Sequence, residues 1–282
     1  MSASDTAITL PAEAAGVTDE TGGHDVPTGA VWMWRDTWTE ALRHLRAMPR
    51  SPDIVIFSSV QPIMFVLLFV YVFGESVTVP GGDYTQYVMA GIFAQTVVFG
   101  TTFTSIGIAD DMTKGIIERL RSLPMFQPAV LLGRSVSDLV RNVFTFFIML
   151  AVAFAVGWSI DGPLLDFVVA ALILLSFGYA LSWVQAWIGV SVKTVEAANS
   201  AGFIWMFPMT FISSAFVDPS RMPSWLETIA NANPFSIVTD VVRDLYNGAS
   251  PGSDLWVALV WIVGITVVFM TLALRKYSRT TA

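Results

Sequence analysis

The sequence predicts an all-α integral membrane protein: six transmembrane helices, an amphipathic helix before the first, and short helical elements on both sides of the bilayer. Three observations carry this. Apolar residues, 54% of the 282, are gathered in long blocks and not in helical stripes. Charged residues are only 13% of the chain, about half of the roughly 25% usual in soluble domains. The basic residues cluster in alternate connections between the blocks. With a mean hydropathy of +0.64, the chain is read by span length. About 20 apolar residues cross a hydrocarbon core ~30 Å thick. Amides in lipid must be bonded within their own segment, so each block is expected to be a helix.

Residues 1–30 contain Asp5, Glu13, Asp19, Glu20 and Asp25 but no Lys or Arg. They lack the basic start and apolar run of a secretory signal and are expected to form a disordered acidic tail. Residues 31–50 follow. Val31, Trp34, Trp38, Ala41, Leu42, Leu45 and Met48 recur at helical spacing, while Arg35, Asp36, Glu40, Arg43, His44 and Arg46 fall mostly on other faces. This pattern suits a helix lying in the membrane interface, either a passive anchor or a lever on the first span. Pro49 is expected to end it. Ser51 and Pro52 then open the first span as N-cap and first helical residue.

The six spans are Ile54 to Phe73, Tyr87 to Ile108, a third ending near Trp158, Phe167 to Val192, Ala197 to Val217, and Leu255 to Leu274. The third is strongly apolar only from Val143. Its helix is expected to begin near Pro128, with Arg134, Asp138 and Arg141 on one face. No charged residue is expected in the middle of a span. Placing both termini in the cytoplasm puts 13 of the 15 basic residues inside, as the positive-inside rule requires. The outer side then holds Arg221, Arg243 and nine acids, a balance equal to the whole net charge of −7. The acidity is therefore topological and points to no basic ligand.

Two connections are more than loops. In residues 110–123, Asp110 and Asp111 are expected at a helix start, where the dipole favours acids. Ile116, Ile117, Leu120 and Leu123 form an apolar face, Lys114 and Glu118 an i,i+4 pair, and Pro124 stops the helix. Residues 218–250 are too long for a casual turn and read as two short helices. Asn233 and Pro234 form an N-cap and first-residue signature for the second, which Gly248 closes. Amphipathic half-helices of this kind are expected to dip back toward the bilayer as a re-entrant hairpin. Trp225, Asn233, Pro234 and Phe235 would gate an outer exit or cap the bundle.

Several chemistries are excluded. Without cysteine there is no thiolate metal site. The two histidines, His24 and His44, both precede the first span, and no metal site or catalytic residue is expected. No GxxxxGK[ST] run exists to cradle phosphate, so the chain is not itself expected to be an ATPase. An ion-coupled secondary transporter is expected to carry buried charges in its spans. Gln61, Gln95, Asn142 and Gln185 are the polar groups found there, suited to interhelical hydrogen bonds.

Three motifs in order, Gln61-Pro62, GIIERLRSLP at Gly115 to Pro124 and MPSWLETIANANPFS from Met222 to Ser236, make residues 31 to 278 resemble the ABC-2 exporter membrane subunits, in particular the daunorubicin-resistance type of actinobacteria. The resemblance implies a plasma-membrane permease paired with a second permease, identical or paralogous, and served by two cytoplasmic ATPase subunits. ATP and magnesium would be bound on those partners, with no cofactor on this chain. It implies a coupling helix in the 110–123 segment, with Asp110, Lys114, Glu118, Arg119, Arg121 and Leu123 toward the ATPase; an ordinary loop helix on the bilayer is the alternative. It also implies a substrate pathway along spans two and five, here Phe93, Gln95, Phe99, Phe103, Phe203, Trp205, Met206, Met209 and Phe211. The substrate would be a hydrophobic or amphipathic drug, lipid or secondary metabolite, meeting membrane lipids and no nucleic acid. The alternatives are an ion-coupled secondary transporter and an exporter of polysaccharide or glycolipid.

Overall fold

A computed structural model describes residues 30–47, 52–74, 83–121 and 128–279. Nearly all of the predicted acidic tail, the Pro49 and Ser51 signals, and Leu123 with Pro124 lie outside these residues. The described chain is helical throughout, with no strand. The helices are α1 (Ala30–Ala47), α2 (Pro52–Leu67, extended by a π-helical turn Leu68–Val72), α3 (Tyr84–Gly100), α4 (Thr102–Thr113), α5 (Ile116–Arg121), α6 (Ala129–Ala155), α7 (Leu164–Gly189), α8 (Val195–Phe211), α9 (Ser224–Ala232), α10 (Pro234–Tyr246) and α11 (Asp254–Arg279).

Among the described residues, four helical stretches are long and apolar enough to cross a membrane: Tyr84–Thr113, which joins α3 and α4, then α6, α7 and α11. Helix α8, at 17 residues, and the apolar stretch Val60–Val72 of the first predicted span are shorter. Helix α3 is the hub of the fold. From Tyr87 to Phe99 every residue on it is buried, because α2, α6, α7 and α10 surround it. Helix α11 is the opposite case. It packs mainly on α7 and leaves Trp256, Val260, Val263 and Val267 bare. An apolar outward face of this kind suits hydrocarbon.

Two apolar cores lie at opposite ends of the bundle. One joins α5 to the adjoining ends of α4, α6, α7 and α11 through Ile108, Ile117, Leu131, Trp183 and Tyr277. The other gathers α3, α6, α7 and α10 around Phe93, Phe146, Trp158, Phe235 and Tyr246. Helix α1 lies along the first half of α6. A methyl group at Gly133 would stand 2.5 Å from the Glu40 Cβ and 2.8 Å from the Thr37 carbonyl oxygen, so the two helices approach closely only over a glycine.

The structure corrects three expectations. Asp110 and Asp111 do not open a helix; they lie in the last turn of α4. The helix of the second span runs on to Thr113, and Gly115, at φ +66°, ends it in the left-handed region that glycine adopts without strain. The predicted 110–123 helix is thus divided, and only the six residues of α5 follow the turn. Lys114 reaches back to Asp110 at 2.7 Å, which offsets the unfavourable placing of acids at a helix C-terminus. The second span is broken at Thr101. The fifth span was expected to reach Val217, but its helix stops at Phe211, after Pro208 and just before Ser213–Phe216 turn across α3. Asp138 and Arg141, expected on one face of the helix before its strongly apolar part, are buried midway along α6.

The connection over residues 218–250 forms the two short helices expected. Asn233 caps α10, its Oδ1 accepting from the Phe235 amide at 2.9 Å. Its Nδ2 also donates to the carbonyls of Met209 at 2.6 Å and Ile212 at 2.7 Å, at the open C-terminal end of α8. Arg243 of α10 adds bonds to the carbonyls of Tyr87 (3.1 Å) and Ser214 (2.8 Å), with its guanidinium 3.8 Å over the Tyr87 ring. Replacing Asn233 with Ala removes the cap and both carbonyl bonds. We expect a loss of about 1–3 kcal/mol, read as a lower thermal midpoint in detergent, with helix content retained at low temperature.

Candidate functional site

The break at Thr101 organises the site. The Thr104 amide bonds to the Thr101 carbonyl at 2.9 Å, tightening the turn to an i→i−3 bond. The Gly100 carbonyl, the regular acceptor for Thr104, is taken instead by Arg141 of α6 at 2.9 Å. One turn on, Arg134 donates to the Phe103 carbonyl, also at 2.9 Å. Both arginines are held by Asp138, at 3.0 Å from Arg141 and 3.4 Å from Arg134. Thr104 donates to the same carboxylate at 2.5 Å. Helix periodicity places all three α6 side chains on one face, and that face packs on the break.

The network reaches α1. Asp111 lies 3.9 Å from Arg134 and 4.0 Å from Arg43, and Arg43 pairs with Glu40 at 2.9 Å. Three arginines face three carboxylates, so the cluster is balanced only while the remaining member, His44, is neutral. Burial, then the charges of Arg134 and Arg43, lower the His44 pKa to about 3.

Beside the break is a cavity of about 220 Å³. Its apolar walls are Phe99 and Phe103 of the second span and Phe203 of α8, with Pro62 of α2. Its polar groups are Gln61, Thr96, Thr102, Arg141, Asn142, Thr145 and Asn199. The Arg141 guanidinium lies 4.7 Å from the Phe103 ring centroid, and Asp138 already neutralises it. The cavity therefore offers aromatic faces and neutral hydrogen-bonding groups, with no uncompensated charge.

A continuous aromatic series leads out of this cavity. Phe99 meets Phe203 and Phe207 at 5.7 and 5.4 Å. Phe203, Phe207 and Phe211 follow one another at i,i+4 spacing along α8, 5.7 and 5.9 Å apart. Phe211 meets Phe216 at 5.7 Å, and Phe216 stacks on Phe69 of α2 at 4.5 Å. Phe207 and Phe211 are half exposed.

Of the sequence-derived pathway residues, Phe99, Phe103 and Phe203 come together at the cavity, and Phe211 stands farther along the aromatic series. Phe93 lies elsewhere, fully buried among Phe146, Trp158 and Tyr246. Gln95 is buried with its Nε2 unpartnered. Met206 is buried too, its sulfur accepting from Gln185 at 2.9 Å and Thr102 at 3.3 Å. Trp205 packs against the apolar core. Met209 lines a second, apolar groove of about 510 Å³ between α8 and α9, with Asn233 and Pro234. Trp225 is exposed on α9, while Phe235 anchors α10 in the core near Phe177.

At the other end, Asp110 and Lys114 pair at the end of α4, and the backbone of Glu118, Arg119 and Arg121 forms α5. Leu123 lies outside the described residues. Sequence reasoning missed Asn142, Thr145 and Asn199 as cavity groups and Arg141 as a cap for Gly100. The Arg134–Asp138–Arg141 spacing was visible, but the carbonyls it serves are set by a break more than thirty residues earlier.

These features, a bundle of apolar helices with a cavity open to an aromatic face, define a membrane permease. The ABC-2 type transporter family matches residues 35–246, and this chain belongs to that family. It is 32% identical over 241 residues to the "Daunorubicin resistance ABC transporter permease protein" of Streptomyces coeruleorubidus, which covers 86% of this chain and 85% of that protein. It is 22% identical over 233 residues to a "Probable doxorubicin resistance ABC transporter permease protein" of Mycobacterium tuberculosis, 82% of this chain and 84% of the relative. A "Probable multidrug ABC transporter permease" of Escherichia coli is 25% identical over 211 residues, 71% of this chain and 54% of the relative.

Two outcomes test the charged cluster. Asp138→Ala leaves Arg134 and Arg141 buried without their shared carboxylate, and we expect a loss of about 3–5 kcal/mol, seen as a sharply lower thermal midpoint. For His44, the folded pKa near 3 lies below the ordinary value of 6.5. Between these values the unfolded chain holds the extra proton, so stability rises with pH across the window and is lost as pH falls from 6.5 toward 3. Thermal midpoints from pH 7.5 to pH 5 should decline less in His44→Asn than in the unaltered protein.

Proposed function

We propose that this chain is the membrane subunit of an ATP-driven exporter that moves a hydrophobic or amphipathic drug, lipid or secondary metabolite out of the cytoplasm or inner leaflet. The observation that carries the reading is the cavity of Phe99, Phe103 and Phe203 opening onto the Phe207–Phe211–Phe216 series. An apolar molecule with a few neutral polar groups fits such a lining, and a strongly charged one would be desolvated there without a counter-charge. The names of the relatives, resistance to daunorubicin and doxorubicin, are in keeping with this class.

In this reading the chain spans the plasma membrane six times, with both termini cytoplasmic. Helix α2 with its π turn is the first span, and α8 is the fifth, completed by the Ser213–Phe216 turn. The α9–α10 hairpin re-enters the bilayer from outside. Two permeases, identical or paralogous, pair with two ATPase subunits, and α5 docks on the ATPase. ATP hydrolysis with magnesium takes place on the partner, since no phosphate-cradling loop occurs in this sequence. The α5 helix is too short to be stable alone in water. Packing of Ile117 in the core with Trp183 and Tyr277 holds one face of it and leaves Arg119 exposed.

The test is co-expression with the ATPase encoded beside this chain, purification through a tag on this chain, and assay of ATP hydrolysis and daunorubicin efflux. A co-eluting, active ATPase is expected. Glu118→Arg should abolish co-elution or separate hydrolysis from efflux, with the helix content of the permease unchanged. Normal efflux in that variant would remove α5 from the coupling role. A permease that purifies without any ATPase and responds to an ion gradient would instead favour secondary transport.

A further inference from the structure

The second span is two helices in series, and each half is held by a different part of the molecule. Helix α3 is enclosed by the core and by α10, which is tied to it through Arg243 at the Tyr87 carbonyl. Helix α4 is bordered by α7 and α8 and passes through a turn at Lys114–Gly115 directly into α5. Between the halves, the Thr101 turn is closed by short backbone bonds, from the Thr101 amide to the Val98 carbonyl and from the Thr104 amide to the Thr101 carbonyl. What spans the break from outside is a pair of side chains on α6: Arg141 on Gly100 and Arg134 on Phe103. Arg141 is buried and Arg134 partly so, and both pair with Asp138.

We infer that Thr101 is a hinge, that α4 is a rigid arm moved by α5, and that Arg134 and Arg141 are the positioning residues that clasp the arm in the conformation described. The inference rests on the reading of α5 as the ATPase-docking element. Three physical points support it. A helix interrupted by a tight i→i−3 turn bends there at lower cost than within a regular ladder, as kinks do where the i→i−4 series is broken. The carbonyls exposed by such a break need a partner inside a bilayer, and the arginines supply one that can be given up and regained. The arm also carries Thr102, Phe103 and Ile106, which line the cavity, while Arg141 and Asn142 line it from α6. Rotation of α4 therefore changes the cavity and the clasp together. Arg141 touches both, through the Gly100 carbonyl and the Phe103 ring. A 12-residue arm is ~18 Å long, so a rotation of about 15° displaces its end by roughly 5 Å, within the range of known switching motions.

The chain has no cysteine, so introduced cysteines are the sole labelling sites on it. Spin labels at Thr113→Cys and Lys193→Cys report the end of α4 against the turn between α7 and α8. A second pair, Thr85→Cys and Leu164→Cys, reports α3 against α7 at the opposite end. Distances are measured by pulsed electron resonance in the permease–ATPase complex, without nucleotide and with ATP plus vanadate. We expect the first distance to shift by roughly 5 Å and the second to stay fixed. In Asp138→Asn/Arg141→Gln, which removes one charge of each sign and leaves Arg134 with Asp111 at 3.9 Å, the first distance should be broadened without nucleotide and should lose its shift. Equal shifts in both pairs would overturn the hinge, because the span would then move as one body. A double variant with an unaltered distribution and shift would overturn the clasp. If the double variant fails to assemble, Arg141→Lys replaces it, retaining the charge beside Asp138 but not the forked contact to Gly100, with the same two outcomes. Absence of a co-purifying ATPase would defeat the functional reading itself. A complex that hydrolyses ATP without differential movement would defeat only the hinge.

Discussion

A backbone carbonyl shut away from water must find another donor, and this constraint explains most of what is unusual here. The second span breaks at Thr101, and the Gly100 carbonyl leaves the helical ladder. Arg141 satisfies it, and Arg134 adds a bond one turn below. A buried arginine and a partly buried one then require a carboxylate, which Asp138 supplies from the same helix face. That group in turn accepts from Thr104 of the broken span. Each polar residue is present because the previous one would be unaffordable alone. The chain of obligations ends at α1, where Arg43, Glu40 and His44 sit against Asp111 and Arg134.

The opposite end of the bundle solves the same problem with different residues. Helix α8 contains Pro208 and stops at Phe211, leaving carbonyls open near the membrane face. Asn233 and Arg243 come from the outer hairpin to meet them. The hairpin is thereby fixed to the end of α8 and to α3 at Tyr87. An ABC-2 permease built this way has two helices, α3–α4 and α8, whose irregular points are both satisfied by neighbours. The cavity and the aromatic series lie between these two helices. A pathway placed there is bordered by the parts of the backbone that depend most on their neighbours' side chains.

Much of the architecture was legible in the residues. Hydrophobic block length located the four stretches that, among the described residues, are long and apolar enough to cross a bilayer, because crossing demands about 20 apolar residues whatever the packing. The Asn233-Pro234 cap and the closing Gly248 were also legible, because capping is local chemistry. The helix starting near Pro128 and carrying Arg134, Asp138 and Arg141 on one face was legible from periodicity alone. The helix of residues 110–123 was misread for an equally local reason. The acids that favour a helix start were taken as one, whereas Gly115 marks an end and Asp110 is held from behind by Lys114.

What the sequence by itself determined is the set of apolar helices, their order, the membership in the ABC-2 family and the absence of a nucleotide loop. These follow from composition, period and short motifs. The tertiary structure alone decided which polar residues meet. Phe93 and Phe99 lie on the same helix and differ in nothing a sequence displays, yet one is locked among aromatic rings and the other faces the cavity. Arg141 looked like the inner flank of a span and proved to be a buried cap for a carbonyl 41 residues away. The physical reason is the same in each case. Helix formation in lipid is decided by the backbone of one segment, whereas the partner of a buried polar group is decided by how separate segments pack.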